Sequence, residues 1–152
     1  MDIEGLTNDR LRDQLGQLHL VPEEDRIAGP GTTPIMAAFT HLEPAGSRFT
    51  DGSYGVYYAA NNIKTAVAET RFHRERFLAA TKEPPIEVDM RSYASDIDAR
   101  LHDIRGLQRK LPNIYNPDPA LYGPAQVFAN ELRASGSHGI AYSSVREAGG
   151  EC

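Results

Sequence analysis

A chain of 152 residues with 40% apolar and 24% charged side chains can bury one core, and its mixed composition excludes a disordered or solenoid polymer. The formal net charge of -5 argues against a non-specific nucleic-acid binder, which needs a basic stripe, and no apolar run is long enough to span a bilayer. The single cysteine, Cys152, excludes an internal disulfide, and His19, His41, His73, His102 and His138 lack zinc spacing, so no metal site is expected.

In chain order, "MDIEGLTNDRLRDQLG" is acidic and has no signal-peptide pattern, which points to the cytoplasm. Leu11, Leu15 and Leu18 recur at helical spacing, and Thr7 or Asn8 can cap a helix there. Residues 1–25 thus read as a helical extension running into the loop-like "VPEEDRIAGPGTTP". "PIMAAFTHL" reads as a short buried strand, "LEPAGSRFTDGS" as a turn, and "YGVYYAA" as a second strand. If that second segment is a strand, Tyr57 and Tyr58 point to opposite faces, and at least one belongs to the core.

"NNIKTAVAETRFHRERFLAAT" carries the strongest helical signal, with Asn61 or Asn62 as its cap. At roughly 100° per residue, Ile63, Ala66, Val67, Thr70 and Phe77 share one side. Glu69 falls at the border of that side, where a carboxylate can reach the rim of a cleft. "PPIEVDMRSYA" reads as a strand after a proline break, and residues 95–121 give no clear pattern. "GPAQVFANELRASG" reads as a helix with Pro124 in its first turn, an Ala125–Phe128–Ala129–Leu132 stripe, and Gly136 at its end. "HGIAYSSV" reads as a closing strand. The order predicts one α+β domain over 1–152, a mixed sheet flanked by helices.

Several familiar signals are missing. The sequence has no GK[ST], HExxH or GxSxG, and "GPGTTP" is neither GxGxxG nor followed by a convincing helical pattern. Ser143 and Ser144 in "YSSVR" lack a placed base, so strand-end polarity is their plainest reading. Arg48 can be a solvated turn residue, and Glu69 a surface carboxylate paired with Lys64, Arg71 or Arg74. The same residue types also suit cleavage of a nicotinamide glycosidic bond. A carboxylate offsets the ribosyl cation, an arginine holds a pyrophosphate, and an aromatic face holds the nicotinamide.

"SRFTDGSYGVYYAANNIKTAVAETRFHRERF" together with "GIAYSSVREAGGEC" closely resembles the RES domain family, over roughly residues 26–152. The family arginine matches Arg48, its tyrosine Tyr58 with Tyr57 the nearer alternative, its glutamate Glu69 and its serine Ser144. Relatives carry another pocket arginine on the first strand, for which Arg26 is the candidate. They also continue past "GGEC" into one more strand and a tail, so a truncated end is an expectation.

The resemblance implies a fold similar to ADP-ribosyltransferase toxins. It implies a toxin of a bacterial toxin–antitoxin module that consumes NAD+. The acceptor of ADP-ribose is water, phosphate or a side chain of a host protein. The implied partner is an Xre-like antitoxin that blocks the NAD+ site in a hetero-oligomer. In the implied site Arg48 holds the phosphates, Tyr58 packs on nicotinamide or ribose, Glu69 stabilises the cation, and Ser144 positions the ribose or nicotinamide. Two readings of other classes stand beside it: a phosphate-handling nucleotide hydrolase with Glu69 as base, and a non-catalytic module that binds the antitoxin.

Overall fold

The computed structural model describes residues 16–81 and 84–152. The predicted helix at 6–20 therefore lies mostly outside the described residues; its end, Leu18–Leu20, is a 3-10 turn. The chain divides into two compact units, Met1–Tyr57 and Tyr58–Cys152.

In the first unit, helix α1 spans Thr33–Thr40 and packs against the Leu18–Leu20 turn. The segment read as a buried strand is therefore a helix, and "GPGTTP" does lead into one. Pro34 fits the first turn, and the run Ile35-Met36-Ala37-Ala38-Phe39 contains one β-branched residue among good helix formers. The Thr40 carbonyl accepts from Gln17 N–H at 2.7 Å, and the Thr40 hydroxyl donates to Met36 O at 3.0 Å.

A tight turn follows, closed by Ser47 N–H to Thr50 O at 2.8 Å, with Arg48, Phe49 and Thr50 buried. Thr50 Oγ1 donates to Tyr54 O at 2.6 Å and the Tyr54 hydroxyl to Phe49 O at 2.7 Å. The predicted strand at "YGVYYAA" is irregular chain instead. Packing against α1 holds it: a Cβ on Gly55 would meet Ala38 O at 2.2 Å and Phe39 Cα at 2.5 Å, so only glycine fits there.

The second unit opens with helix α2, Ile63–Ala79, as predicted. Asn62 caps it by accepting from Thr65 N–H at 2.9 Å. Asn62→Ala is expected to cost about 1 kcal/mol, read as a lower midpoint in thermal unfolding. The helix does not bury the expected side. Ile63, Val67 and Phe77 are 60%, 54% and 61% exposed, while Thr65 is fully buried and Ala68, Glu69 and Phe72 are half-buried. Polar and steric fit to the chain terminus selects this face, as the site below makes clear.

Strand β1, His102–Asp103, pairs in parallel with β2, Ile140–Ala141, in the register His102 to Ile140. The expected mixed sheet is this two-stranded parallel pair among the described residues. The predicted strand near 86–94 is exposed and irregular; Pro84 and Pro85 remove two backbone donors at its start. Helix α3, Gly123–Ala134, matches its prediction, burying Ala125 and Ala129 with Phe128 and Leu132 half-buried. The Phe128 ring meets His102 edge-on at 6.1 Å, tying α3 to β1. Ile104, Ile114, Tyr115, Tyr122 and Tyr142 are buried in this unit as well. Helices and a small sheet together make the composition α+β.

The predicted closing strand is shorter than expected. After β2 the chain turns back on itself over 142–152. Tyr142 and Cys152 exchange both backbone hydrogen bonds, at 2.9 and 2.8 Å, and Ser144 N–H donates to Gly150 O at 2.8 Å. Tyr115 ties this hairpin to Ile104, just after β1, its hydroxyl donating to Ile104 O at 2.6 Å and accepting from Ser143 N–H at 3.2 Å.

A second tie is electrostatic. Arg105 donates from Nε and NH2 to the two Asp103 oxygens at 2.9 and 2.8 Å, and from NH1 to Glu151 at 3.0 Å. Hydrogen bonds from the Arg105 side chain, then from its backbone N–H, hold the Asp103 carboxyl down at about 2. An unfolded aspartate titrates near 3.9. The stabilisation is therefore fully present above about pH 4 and is lost as pH falls through about 2. Asp103→Asn should remove the part of acid unfolding that develops in that window, measured by circular dichroism; added salt should shrink the difference, because the pair is exposed.

Candidate functional site

The site is built where the C-terminal hairpin lies along α2. Ser144 Oγ donates to Glu69 Oε1 at 2.6 Å, joining residues 75 positions apart. The same oxygen accepts from the backbone N–H groups of Arg146 and Glu147, each at 3.0 Å. A hydroxyl has one proton and two lone pairs, so Ser144 is fully committed within the protein. It orients the Glu69 carboxylate, which accepts its only proton.

Four further contacts fix the hairpin on the helix. Lys64 Nζ meets Glu147 Oε1 at 2.6 Å, five residues before Glu69. The Arg146 guanidinium lies 3.3 Å from the centroid of Phe72, one turn after it. Asn61 N–H donates to Glu151 O at 3.0 Å. Gly150 sits directly against Thr65, where a Cβ would come within 2.5 Å of Oγ1 and 2.7 Å of Cγ2. This is why α2 turns Thr65, Glu69 and Phe72 inward and leaves its apolar stripe outside. The half-buried Glu69 accepts a charge-assisted hydrogen bond on this face, and a bulky residue at 65 would collide with the hairpin.

Tyr142 belongs to the same neighbourhood. Burial pushes its phenol up, and Cys152, Glu69 and Tyr58 add to the rise. Its side chain is hydrogen-bonded with Cys152. Tyr58 is 42% exposed and Tyr57 half-buried, so neither is the core residue the strand reading required.

Of the residues singled out in the sequence, Glu69 and Ser144 are in direct contact, and Tyr58 shares their unit. Arg48, Tyr57 and Arg26 belong to the first unit. Arg48 occupies the buried turn described above. Arg26 braces its own loop, with Nε donating to Val21 O at 2.9 Å and NH1 3.7 Å from Glu23. Ser143 is structural: its hydroxyl accepts from Gly106 N–H at 3.0 Å. Sequence reasoning missed Tyr142, Phe72 and Arg146. The available signal was position, since Tyr142 and Arg146 lie two residues either side of Ser144. Among the described residues no group of three His, Cys, Asp or Glu could hold a metal ion. No helix among them is long and apolar enough to cross a membrane.

The model of the family described as "RES domain" matches residues 23–152. A protein of Sinorhizobium fredii (strain NBRC 101917 / NGR234), described as "Uncharacterized protein y4oC", is 36% identical over 107 residues. That match covers 69% of this chain and 45% of the relative, so the chain spans less than half of that protein's length. No solved structure matches.

Proposed function

The chain belongs to the RES domain family, and from that premise we propose that it is an NAD+-consuming enzyme, the toxin of a toxin–antitoxin module. The observation that carries the proposal is the Ser144–Glu69 hydrogen bond, which fixes one carboxylate on the inward face of α2. A fixed carboxylate is the group that glycosidic cleavage with cation character needs.

In the proposed reaction the bond from ribose C1 to the nicotinamide nitrogen breaks, and both electrons go to nitrogen, neutralising it. Glu69 offsets the positive charge left on the ribosyl group. Water, phosphate or a host side chain then bonds to C1; water and a protonated side chain release a proton to solvent, and a phosphate oxyanion attacks through an oxygen that carries none. Tyr58 supplies an exposed aromatic face for nicotinamide. Arg48 is assigned the pyrophosphate from its motif position and the paired bonds a guanidinium makes to phosphate oxygens. An arrangement like that of ADP-ribosyltransferase toxins, a cytoplasmic site of action and an Xre-like antitoxin covering the NAD+ site belong to the same proposal.

The test is expression without the antitoxin while intracellular NAD+ and growth are followed. The proposal expects NAD+ to fall before growth stops. Growth arrest with NAD+ and protein labelling both unchanged contradicts it. Lysate incubated with adenylate-labelled NAD+ identifies the acceptor: labelled protein for a side chain, small labelled products for water or phosphate.

A further inference from the structure

Arg146 has an arrangement that its place in a surface turn does not require. Its guanidinium stacks on Phe72 at 3.3 Å. NH2 donates to Pro117 O and, at 3.2 Å, to the Tyr122 hydroxyl at the start of α3. Nε is buried and has no hydrogen-bond partner among the described residues. One side chain thus joins α2, the loop before α3 and the α3 N-terminus. A solvated arginine would leave its fork in water and keep its rotamer freedom.

The position of this anchor gives it a role. Phe72 is three residues after Glu69, on the same inward face of α2. Arg146 is two residues after Ser144, and its own N–H donates to Ser144 Oγ. The contacts Ser144–Glu69 and Arg146–Phe72 therefore run side by side along one helix. The other holds, at Asn61, Lys64 and Thr65, all precede Glu69 along the chain; the Arg146–Phe72 contact supplies the hold one helical turn beyond it. We propose that Arg146 is a positioning residue of the Glu69 site: by seating on Phe72, Pro117 and Tyr122, it sets the turn that presents Ser144 Oγ to Glu69. Its effect on turnover rests on the proposed reaction at Glu69. Its effect on the turn does not.

Two readouts keep those apart. Amide hydrogen exchange at Arg146 and Glu147 reports whether both N–H groups still donate to Ser144 Oγ. Steady-state nicotinamide release reports whether Glu69 is still presented. Arg146→Met keeps the stem and removes the fork. It should raise exchange at both amides toward the level of Ser144→Ala. It should also lower kcat tenfold or more, with KM within about threefold. Arg146→Lys, which keeps a cation over Phe72, should recover part of both. Phe72→Leu keeps the packing, removes the π face, and should move exchange in the same direction, which guards against a Met variant that folds poorly. Unchanged exchange in both the Met and Leu variants overturns the proposal. So does a kcat loss that Arg146→Lys fails to relieve and that tracks the thermal midpoint. A wild-type protein that releases no nicotinamide contradicts the proposed reaction instead, and the exchange data then decide the role of Arg146 by themselves.

Discussion

Glu69→Gln should leave NAD+ binding within a few-fold and slow nicotinamide release on the order of 10²–10³-fold. Glutamine keeps the shape of the side chain, and its amide oxygen can still accept from Ser144 Oγ, now at 2.6 Å from Glu69. What disappears is the negative charge opposed to the developing ribosyl cation. That charge matters in the transition state far more than in the ground state, so kcat should fall and binding should not. Binding by calorimetry and release by chromatography give the two numbers. A variant with full turnover removes Glu69 from the chemistry. A variant that no longer binds NAD+ assigns Glu69 to ground-state recognition instead.

The second large effect is structural. Gly150→Val should destabilise the protein by about 1–3 kcal/mol, because the site is already filled. The smallest side chain atom at 150 would lie 2.5 Å from Thr65 Oγ1, and Thr65 is fully buried with no room to yield. The hairpin can escape only by lifting off α2, which carries Ser144 away from Glu69. Activity should therefore fall further than the loss of folded protein explains. Thr65→Ala supplies the control. The Thr65 hydroxyl is buried without a hydrogen-bond partner among the described residues, so removing it sacrifices no bond. Combined with Gly150→Ala, it should restore most of the stability lost in Gly150→Ala alone, measured by urea unfolding. Equal losses with and without Thr65→Ala would show that the close contact is not the cause.

These two residues also show where reading the sequence stops. Local chemistry was legible: Asn62 caps α2, Pro124 opens α3, and the Ala125–Ala129 stripe faces inward. The orientation of α2 was not. Periodicity placed Ile63, Val67 and Phe77 inside, but the hairpin 74–85 residues further on offers a serine, an arginine and a glycine, which fit Glu69, Phe72 and Thr65. A face chosen by partners distant in sequence leaves no periodic trace. The run at 33–40 failed for a different reason: a short apolar run shows no decisive period, and the helix signal lay in its composition, with Pro34 in the first turn and Met36, Ala37 and Ala38 behind it. Strand β1 was too short to give a pattern at all. For the site, Glu69 and Ser144 came from the family resemblance, and their contact bears on both at once. Arg146 was visible only as a letter in "SSVR".

The reaction itself is tested most directly by giving the purified protein NAD+ labelled separately in the nicotinamide and adenylate halves. The account predicts free nicotinamide and an equal amount of product that keeps ADP-ribose intact, with Glu69→Gln producing neither at a comparable rate. Appearance of AMP with nicotinamide mononucleotide would mean that the pyrophosphate is cut instead, and would contradict cleavage at the nicotinamide–ribose bond.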